Sequence, residues 1–295
     1  MTTVLNKTIL NRLDAFPALP ATVSKVITIT DNAESSAEDL MEAVLPDQAM
    51  CLTILKIANS AFFGLPRQVK TIDKAVMVLG FNEIRNIVLG KAVFNSFKDV
   101  YRNNRETINA FWEHSFLTGL AAKIIAEDIK YSPSESFIAG LIHDIGRMVM
   151  LVSLNGDYTP IFEAASSDHP DTRTREQSLF SISHDEVGYR LLKRWLFPHS
   201  LLDSTKFHHA PLGSTADSLL PTIVQVADLL AHLHVTAREI DESEIESVID
   251  TNIPDVKSAW GDYNLEWNND LLPKWQQELL VSSDRDRSIL TVITT

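Results

Sequence analysis

The 295-residue sequence contains a single cysteine, Cys51. One thiol excludes an internal disulfide framework and a cysteine-based zinc cluster, and it favours a reducing compartment, so we expect a cytoplasmic protein. Long apolar runs are also missing. No stretch approaches about 18 consecutive apolar residues, so we expect no membrane span. The N-terminus has neither an uninterrupted apolar segment nor a small-residue cleavage site, which argues against a secretion signal.

Glycine and proline are scarce as well. The chain has 10 glycines and 12 prolines, whereas average usage would give roughly 35 of the two residue types together. Nearly every periodic segment repeats its apolar residues at a spacing of about 3.6, and none alternates cleanly at every second residue. The sequence therefore predicts an all-α protein. Four of the predicted helices matter most for the chemistry discussed below: residues 21–30, 107–128, 134–152 and 173–195.

Acidic residues outnumber basic ones by 39 to 26, which gives a net charge of −13. This balance argues against direct binding to DNA or to an anionic membrane. The segment from Cys51 to Arg105 is the exception, because it has nine basic and three acidic residues. One interpretation is a solvated helical surface. The other is a surface for an acidic partner, and it predicts that the basic segment 56–105 contacts a signalling protein or a nucleotide.

The sequence pattern divides the chain into three segments. Residues 98–107 form the longest run without an apolar pattern in the first half, so we place a boundary between residues 105 and 106. Residues 1–105 and 106–238 are predicted to be two helical halves of one domain. Residues 239–295 begin with seven carboxylates before residue 256. Four aromatic residues predict that this acidic segment packs on the domain: Trp260, Tyr263, Trp267 and Trp275.

The pair His143 and Asp144, in the motif LIHDIGR, is the strongest chemical signal. Both residues lie within the predicted helix 134–152, which is otherwise largely apolar. A carboxylate near a core is costly unless a cation or hydrogen-bond donors accompany it. A bound metal ion would meet that need. An ion pair of Asp144 with Arg147 or Lys123, with His143 hydrogen-bonded to a carbonyl, would meet it equally well.

Further imidazoles and one further carboxylate lie on other predicted helices, mostly among apolar residues. Together they complete a candidate set of five imidazoles and two carboxylates: His114, His143, Asp144, His184, His208, His209 and Asp228. Such a mixed set suits Fe, Mn, Zn or Mg, and it excludes a thiolate site. We expect the set to converge around a single cationic centre of one or two divalent ions. Asp144 could bridge two ions, whose shared water would act as hydroxide.

The order of these residues along the chain resembles the H…HD…D metal set of the HD superfamily of metal-dependent phosphohydrolases. The matching residues are His114, the pair His143 and Asp144, and Asp228. The three remaining histidines are similar to the additional ligands of the two-metal members, which include the HD-GYP cyclic di-GMP phosphodiesterases. The resemblance implies a bundle of helices with metal ligands at these positions.

The upstream half of the chain resembles the HDOD (HD-related output domain) family. The motifs that carry this resemblance are KIANSAFFG at residues 56–64 and LGFNEIRNIVLG at residues 79–90. The two halves follow each other in the expected order, and the resemblance covers residues 13–233. It implies an HDOD-type multi-helix architecture that includes an HD-like helical bundle.

The HDOD resemblance implies an output module of bacterial signal transduction, and HDOD proteins are generally not hydrolases because many have lost the metal ligands. This sequence keeps ligand-type residues at every one of those positions, but no GYP follows His208 and His209. Arg147 stands where the phosphodiesterases have a phosphate-contacting lysine, and a guanidinium lacks the compact geometry of an ammonium. We therefore expect a metal-binding module without catalysis.

Two other functions remain open at this point. One is a metal-dependent phosphohydrolase that acts on nucleotides or cyclic dinucleotides, with Asp144 and Arg147 as its catalytic residues. The other is a purely structural adaptor with an empty site.

Overall fold

The computed structural model describes residues 2–30, 32, 34–98, 105–164, 172–214, 217–238 and 242–294. Within these ranges the regular secondary structure is helical and contains no strand, so the predicted all-α class is confirmed. The α-helices of the described ranges are α1 (Thr2–Asp14), α2 (Ala21–Thr30), α3 (Ala37–Val44), α4 (Gln48–Ala58), α5 (Ile72–Leu79), α6 (Phe81–Ser96), α7 (Arg105–Asp128), α8 (Pro133–Ile142), α9 (Ile145–Leu154), α10 (Thr159–Ala164), α11 (Thr172–Phe180), α12 (His184–Arg194), α13 (His199–Phe207), α14 (Leu219–Val235), α15 (Ile245–Asn252), α16 (Val256–Gly261) and α17 (Leu271–Thr294).

Several helices begin where local side-chain chemistry predicts. The side chain of Ser36 accepts a hydrogen bond from the Asp39 backbone N–H, and the Asp39 carboxylate accepts one from the Ser36 backbone N–H, so α3 begins with a complete capping box. The Asp47 carboxylate accepts from the Met50 N–H at the start of α4. Helix α2 has the predicted bounds, 21–30. The caps of α3 and α4 join residues three positions apart, so these starts are determined locally.

The prediction of one continuous helix over residues 134–152 is wrong, because the structure has two helices there. Helix α8 ends at Ile142 and α9 begins at Ile145, so His143 and Asp144 lie in the turn between them. The His143 ring bonds the Gly140 carbonyl, an acceptor that a continuing helix would use for the N–H of residue 144. The break places both residues in the turn between α8 and α9, where His143 keeps the helical backbone angles φ −52° and ψ −41°.

The predicted helix 173–195 is also two helices, α11 and α12. Between them Ser181 has a φ of +56°, in the left-handed region that a non-glycine residue seldom adopts. This turn places His184 at the first position of α12 instead of the middle of a long helix.

The described residues form two compact units, which we treat separately. The larger unit lies within residues 1–16 and 102–280, and the smaller one within residues 17–101 and 281–295. In the larger unit α7 packs along α8 and α14. The α7–α8 contact is close, because a Cβ on Gly140 would lie 2.8 Å from the Gly119 backbone. In the smaller unit α2 packs on α3 and α6, and α5 packs on α3, α4 and α6.

Three tryptophans pack together in the later part of the larger unit. The ring centroids of Trp260, Trp267 and Trp275 are 5.5–6.1 Å apart. Trp275 also donates a hydrogen bond from Nε1 to the Asp128 carboxylate at 3.0 Å. This cluster joins the start of α17 to the end of α7.

The stretch Pro133–Leu154 is apolar enough to cross a membrane by length and composition, with a mean hydropathy of 1.6. In the fold 89% of it is buried by the rest of the protein. It forms the central part of the larger unit's core, and the candidate site lies at the break in its middle.

Candidate metal centre

The seven predicted ligand residues come together in the larger unit. They lie on α7, in the α8–α9 turn, at the start of α12, in the turn after α13, and on α14. The ligand atoms form two adjoining groups, and the atoms of each group lie within 4.8 Å of one another. The His184 group contains Asp144, His184, His208 and His209, and the His114 group contains His114, His143 and Asp228.

The His114 group forms where α7, the α8–α9 turn and α14 meet. His114 Nε2 lies 2.9 Å from Asp228 Oδ1. His143 Nδ1 lies 2.7 Å from the Gly140 carbonyl oxygen, so Nδ1 carries the proton and donates it. His143 Nε2 then faces inward, 3.6 Å from both Asp228 Oδ1 and Asp144 Oδ2. His143 therefore connects the two groups.

The His184 group surrounds the other oxygen of Asp144. His184 Nε2 lies 3.1 Å from Asp144 Oδ1 and 2.9 Å from His209 Nε2. His208 Nε2 lies 3.6 Å from the same carboxylate oxygen. The His208 Nδ1–H donates to the Thr205 carbonyl at 2.8 Å, which turns its Nε2 inward.

A close contact between α9 and α12 brings Asp144 and His184 together. A Cβ on Gly146 would lie 1.9 Å from the His184 carbonyl oxygen and 2.7 Å from the Gly188 nitrogen. Only glycine permits backbones to approach this closely at position 146. The small residue two positions after Asp144 thus determines where His184 sits.

Arg147 forms the ion pair that the sequence raised as an alternative to a metal. Its Nη1 donates to Asp144 Oδ2 at 2.8 Å, and its Nη2 donates to the Phe162 carbonyl at 3.2 Å. The guanidinium also lies 5.2 Å from the centre of the Phe162 ring. Lys123 instead pairs with Glu127. The ion pair and the clustered histidines are therefore both present.

The charges in the centre influence one another strongly because the side chains are buried. Burial by itself raises the pKa of Asp144, but His143, His184 and Arg147 outweigh it and hold that pKa well below its usual range. Burial by itself lowers the pKa of His143 and His184, but the neighbouring carboxylates outweigh it and raise both. Burial and the charge of His143 lower the pKa of His208 to about 4, so His208 is neutral at pH 7.

The donor atoms fit a divalent cation. Within the described part of the chain, the buried Nε2 atoms of His143 and His208 make no hydrogen bond. In both residues Nδ1 bonds a backbone carbonyl, which is the usual arrangement of metal-binding histidines. Imidazole nitrogens and carboxylate oxygens together suit Zn, Fe or Mn. An inward-facing lone pair without a donor is costly in a core, and a cation would remove that cost.

A small cavity reaches the centre beside His114 and Arg147. Its volume is about 70 Å³, and since a water takes about 30 Å³ in the liquid, it has room for about two waters. Its lining residues are Thr107, Ala110, Phe111, His114, Arg147, Phe162, His232 and Val235.

Sequence reasoning missed Glu176 and Tyr158, which lie behind His184. Glu176 on α11 is fully buried. Its Oε2 accepts hydrogen bonds from the His184 backbone N–H at 2.8 Å and from Nδ1 at 2.7 Å, and its Oε1 accepts one from the Tyr158 hydroxyl. The segment TRTREQSLF around Glu176 is mostly polar, so nothing in the sequence distinguishes this residue from a solvated surface glutamate.

Comparisons with known proteins agree with this architecture. The HDOD domain family model matches residues 16–211, which is more than half of the chain. A candidate signal transduction protein from Marinobacter aquaeolei VT8 shares the fold with a TM-score of 0.72 and 17% identity, over 99% of this chain and 66% of that one. A candidate phosphohydrolase from Shewanella amazonensis SB2B shares it with a TM-score of 0.70 and 21% identity, over 97% of this chain and 98% of that one.

An uncharacterized protein from Treponema pallidum (strain Nichols) is 24% identical over 228 residues, which are 77% of this chain. The chain spans 44% of the length of that relative. The expected HDOD resemblance is confirmed by the family match. The chain therefore belongs to the HDOD domain family.

Proposed function

We propose that this protein is an output module of bacterial signal transduction that binds one or two divalent ions and does not hydrolyse phosphoesters. Its membership of the HDOD family supports the signalling role. The fold shared with the Marinobacter candidate signal transduction protein supports it further. The two groups of imidazole and carboxylate ligands support the metal-binding role.

The observation that carries the proposal is the position of the Arg147 guanidinium. A two-metal hydrolase needs both oxygens of its bridging carboxylate, one for each ion. Here Arg147 Nη1 bonds Asp144 Oδ2 at 2.8 Å. The contacts of Arg147 with the Phe162 carbonyl and ring hold the guanidinium in place. Asp144 then has only Oδ1 available to the His184 group, and a bridged pair of ions would have to displace a buried arginine.

The ligands divide between two possible ions. Asp144 Oδ1, His184, His208 and His209 would hold one ion, and the His114 group would hold the other. A divalent ion at either place would supply Lewis-acid stabilisation of negative charge. The chain's own residues provide the rest: backbone carbonyls orient the imidazoles of His143 and His208, and the core around them excludes water.

The small volume of the cavity beside the centre supports the proposal that the protein does not hydrolyse phosphoesters. Pockets for substrates of drug size are typically about 300–1,000 Å³, whereas the cavity beside His114 and Arg147 is about 70 Å³. A cavity of this volume would not enclose a nucleotide. The ion would therefore act in stability or signalling.

One observation favours the alternative, a metal-dependent phosphohydrolase. The two oxygens of Asp144 face the two ligand groups, with Oδ2 3.6 Å from His143 Nε2 and Oδ1 3.1 Å from His184 Nε2. If Arg147 moved away from Oδ2, the carboxylate would be placed to bridge two ions. Arg147 would then be free to contact a phosphate.

The two functions can be distinguished with one purified sample. Its metals are measured by elemental analysis, and it is then assayed with Mn²⁺ or Fe²⁺ against nucleotides, cyclic dinucleotides and a generic phosphodiester. We expect bound metal and no turnover. Asp144→Asn should reduce the metal content at least about tenfold, because the variant removes the negative charge shared by the ligands. The matched control is Asp250→Asn, which changes an exposed aspartate of α15 and should leave the metal content unchanged.

Turnover that is present in the wild type and lost in Asp144→Asn, with the fold retained, would establish the phosphohydrolase instead. A chain that neither carries metal nor takes it up would support the structural adaptor. The partner of the basic segment 56–105 stays a prediction. Lys56, Lys70 and Lys74 are exposed and available for such a contact.

A further inference from the structure

Glu176 is a fully buried carboxylate outside both ligand groups. A buried carboxylate is costly unless donors surround it. Glu176 has three: the backbone N–H and the Nδ1 of His184 on one oxygen, and the Tyr158 hydroxyl on the other. Since two of the three donors belong to a single histidine of the centre, the role of Glu176 is tied to His184.

The bond from Glu176 to the His184 backbone replaces an ordinary helix cap. Ser183 occupies the position before α12, but its side chain makes no capping hydrogen bond. The Glu176 carboxylate accepts the first N–H of the helix in its place, where negative charge is also favourable to the helix dipole. This contact holds the start of α12, and with it the position of His184.

The bond from Glu176 to the ring determines which nitrogen of His184 faces the centre. A carboxylate only accepts hydrogen bonds, so Nδ1 must carry the proton that Glu176 receives at 2.7 Å. Nε2 is then directed to the side of Asp144 and His209. The Tyr158 hydroxyl stays protonated, because burial and the charge of Glu176 raise its pKa well above the usual value. It therefore remains a donor to Glu176.

We propose that Glu176 is a positioning residue of the centre, which holds His184 as a metal ligand through Nε2, and that Tyr158 holds Glu176 in turn. This inference rests on the proposed metal binding. It adds the Glu176 carboxylate and the Tyr158 phenol as residues that hold a metal ligand in place. Neither residue contacts the ion.

Glu176→Gln separates this role from a purely structural one. The amide oxygen can still accept from the His184 backbone N–H, so α12 can begin at the same residue. The negative charge behind the ring is lost, which makes Nε2 a weaker ligand. Loss of such a supporting partner typically costs about 10–100-fold in metal affinity, and we expect a decrease of that size for Zn²⁺. The affinity is measured by competition with a chromophoric chelator.

Two further variants control the test. Glu186→Gln makes the same change on α12, at a glutamate that pairs with Arg190 on the surface, and it should keep the wild-type affinity. Tyr158→Phe removes one of the hydrogen bonds that hold Glu176, and we expect the Zn²⁺ affinity to decrease by about three- to tenfold. Tyr158→Phe also tests the proposal if Glu176→Gln does not fold.

A spectroscopic readout identifies the positioning role directly. In the metal-free protein, the Nδ1–H proton of His184 should give a downfield NMR resonance typical of a bond to a carboxylate, and Glu176→Gln should move it upfield. Affinity within threefold of the wild type and an unmoved resonance would overturn the positioning role, while the proposed function would stand. A wild type that takes up no Zn²⁺ would overturn the proposed function itself.

Discussion

Replacement of Gly146 by alanine should separate α9 from α12 and dismantle the His184 group. The new Cβ would lie 1.9 Å from the His184 carbonyl oxygen, whereas real Cβ atoms essentially never approach within 3.0 Å. The two backbones would therefore have to move apart by about 1.1 Å, as the difference of these distances requires. His184 would move with its backbone, away from Asp144 Oδ1.

Both the free energy of unfolding and the affinity for Zn²⁺ should decrease. Overpacking of a core typically costs about 1–3 kcal/mol, and for a unit of this size that corresponds to a fall in Tm of roughly 2–12 °C. Metal–ligand distances tolerate only about 0.2 Å of error, so a displacement several times larger should reduce the Zn²⁺ affinity at least about tenfold.

The measurements are a calorimetric scan of the metal-free protein and a Zn²⁺ titration against a chelator. Gly261→Ala is the matched control, because a Cβ there meets nothing within 4 Å. If Gly146→Ala kept the wild-type Tm and an affinity within threefold, the close contact of α9 and α12 would not be what positions His184.

Two further predictions concern buried cations. Arg147→Met should destabilise the metal-free protein by up to about 3 kcal/mol, because Asp144 loses its buried partner. Added Mn²⁺ should recover part of that loss by neutralising Oδ2, and calorimetric scans showing no metal-dependent recovery would contradict the role given to Arg147. In α6, burial and the charges of Lys98 and Lys56 lower the pKa of the buried Lys91 to about 8, from an ordinary value of 10.5. The unfolded chain binds this proton up to the higher value, so the free energy of unfolding should rise from pH 8 to pH 10.5, by about 1–2 kcal/mol after solvent screening. Urea titrations of Lys91→Met should lack that rise, and equal pH dependence in the two proteins would show that Lys91 is not its source.

The helices were predictable wherever the determining contacts are local. The caps at Ser36 and Asp47 join residues three positions apart, and the bounds of α2 agree with its apolar pattern. The breaks at residues 143–144 and 181 were not predictable, because apolar periodicity continues through both. A ring-to-carbonyl bond accompanies the first break and a positive φ marks the second.

The candidate ligands were found from their residue types and their order along the chain. The sequence did not predict their division into two groups, because that division depends on which oxygen of Asp144 faces which imidazole. The sequence did not predict the role of Glu176 for a related reason. A glutamate in a polar segment gives no sign of burial until α11 is placed behind α12.

The sequence by itself determined the helical class, the family and the residue types of the centre, because composition, apolar spacing and motif order are properties of the linear chain. Tertiary structure alone decided which nitrogen of each histidine faces inward and that Arg147 occupies one oxygen of Asp144. It also decided that Glu176 supports His184. The hydrogen bonds concerned join residues only three to eight positions apart, but they form in turns that apolar periodicity does not reveal. Those turns take shape only when the helices pack, as where the absence of a side chain at Gly146 lets α9 and α12 meet.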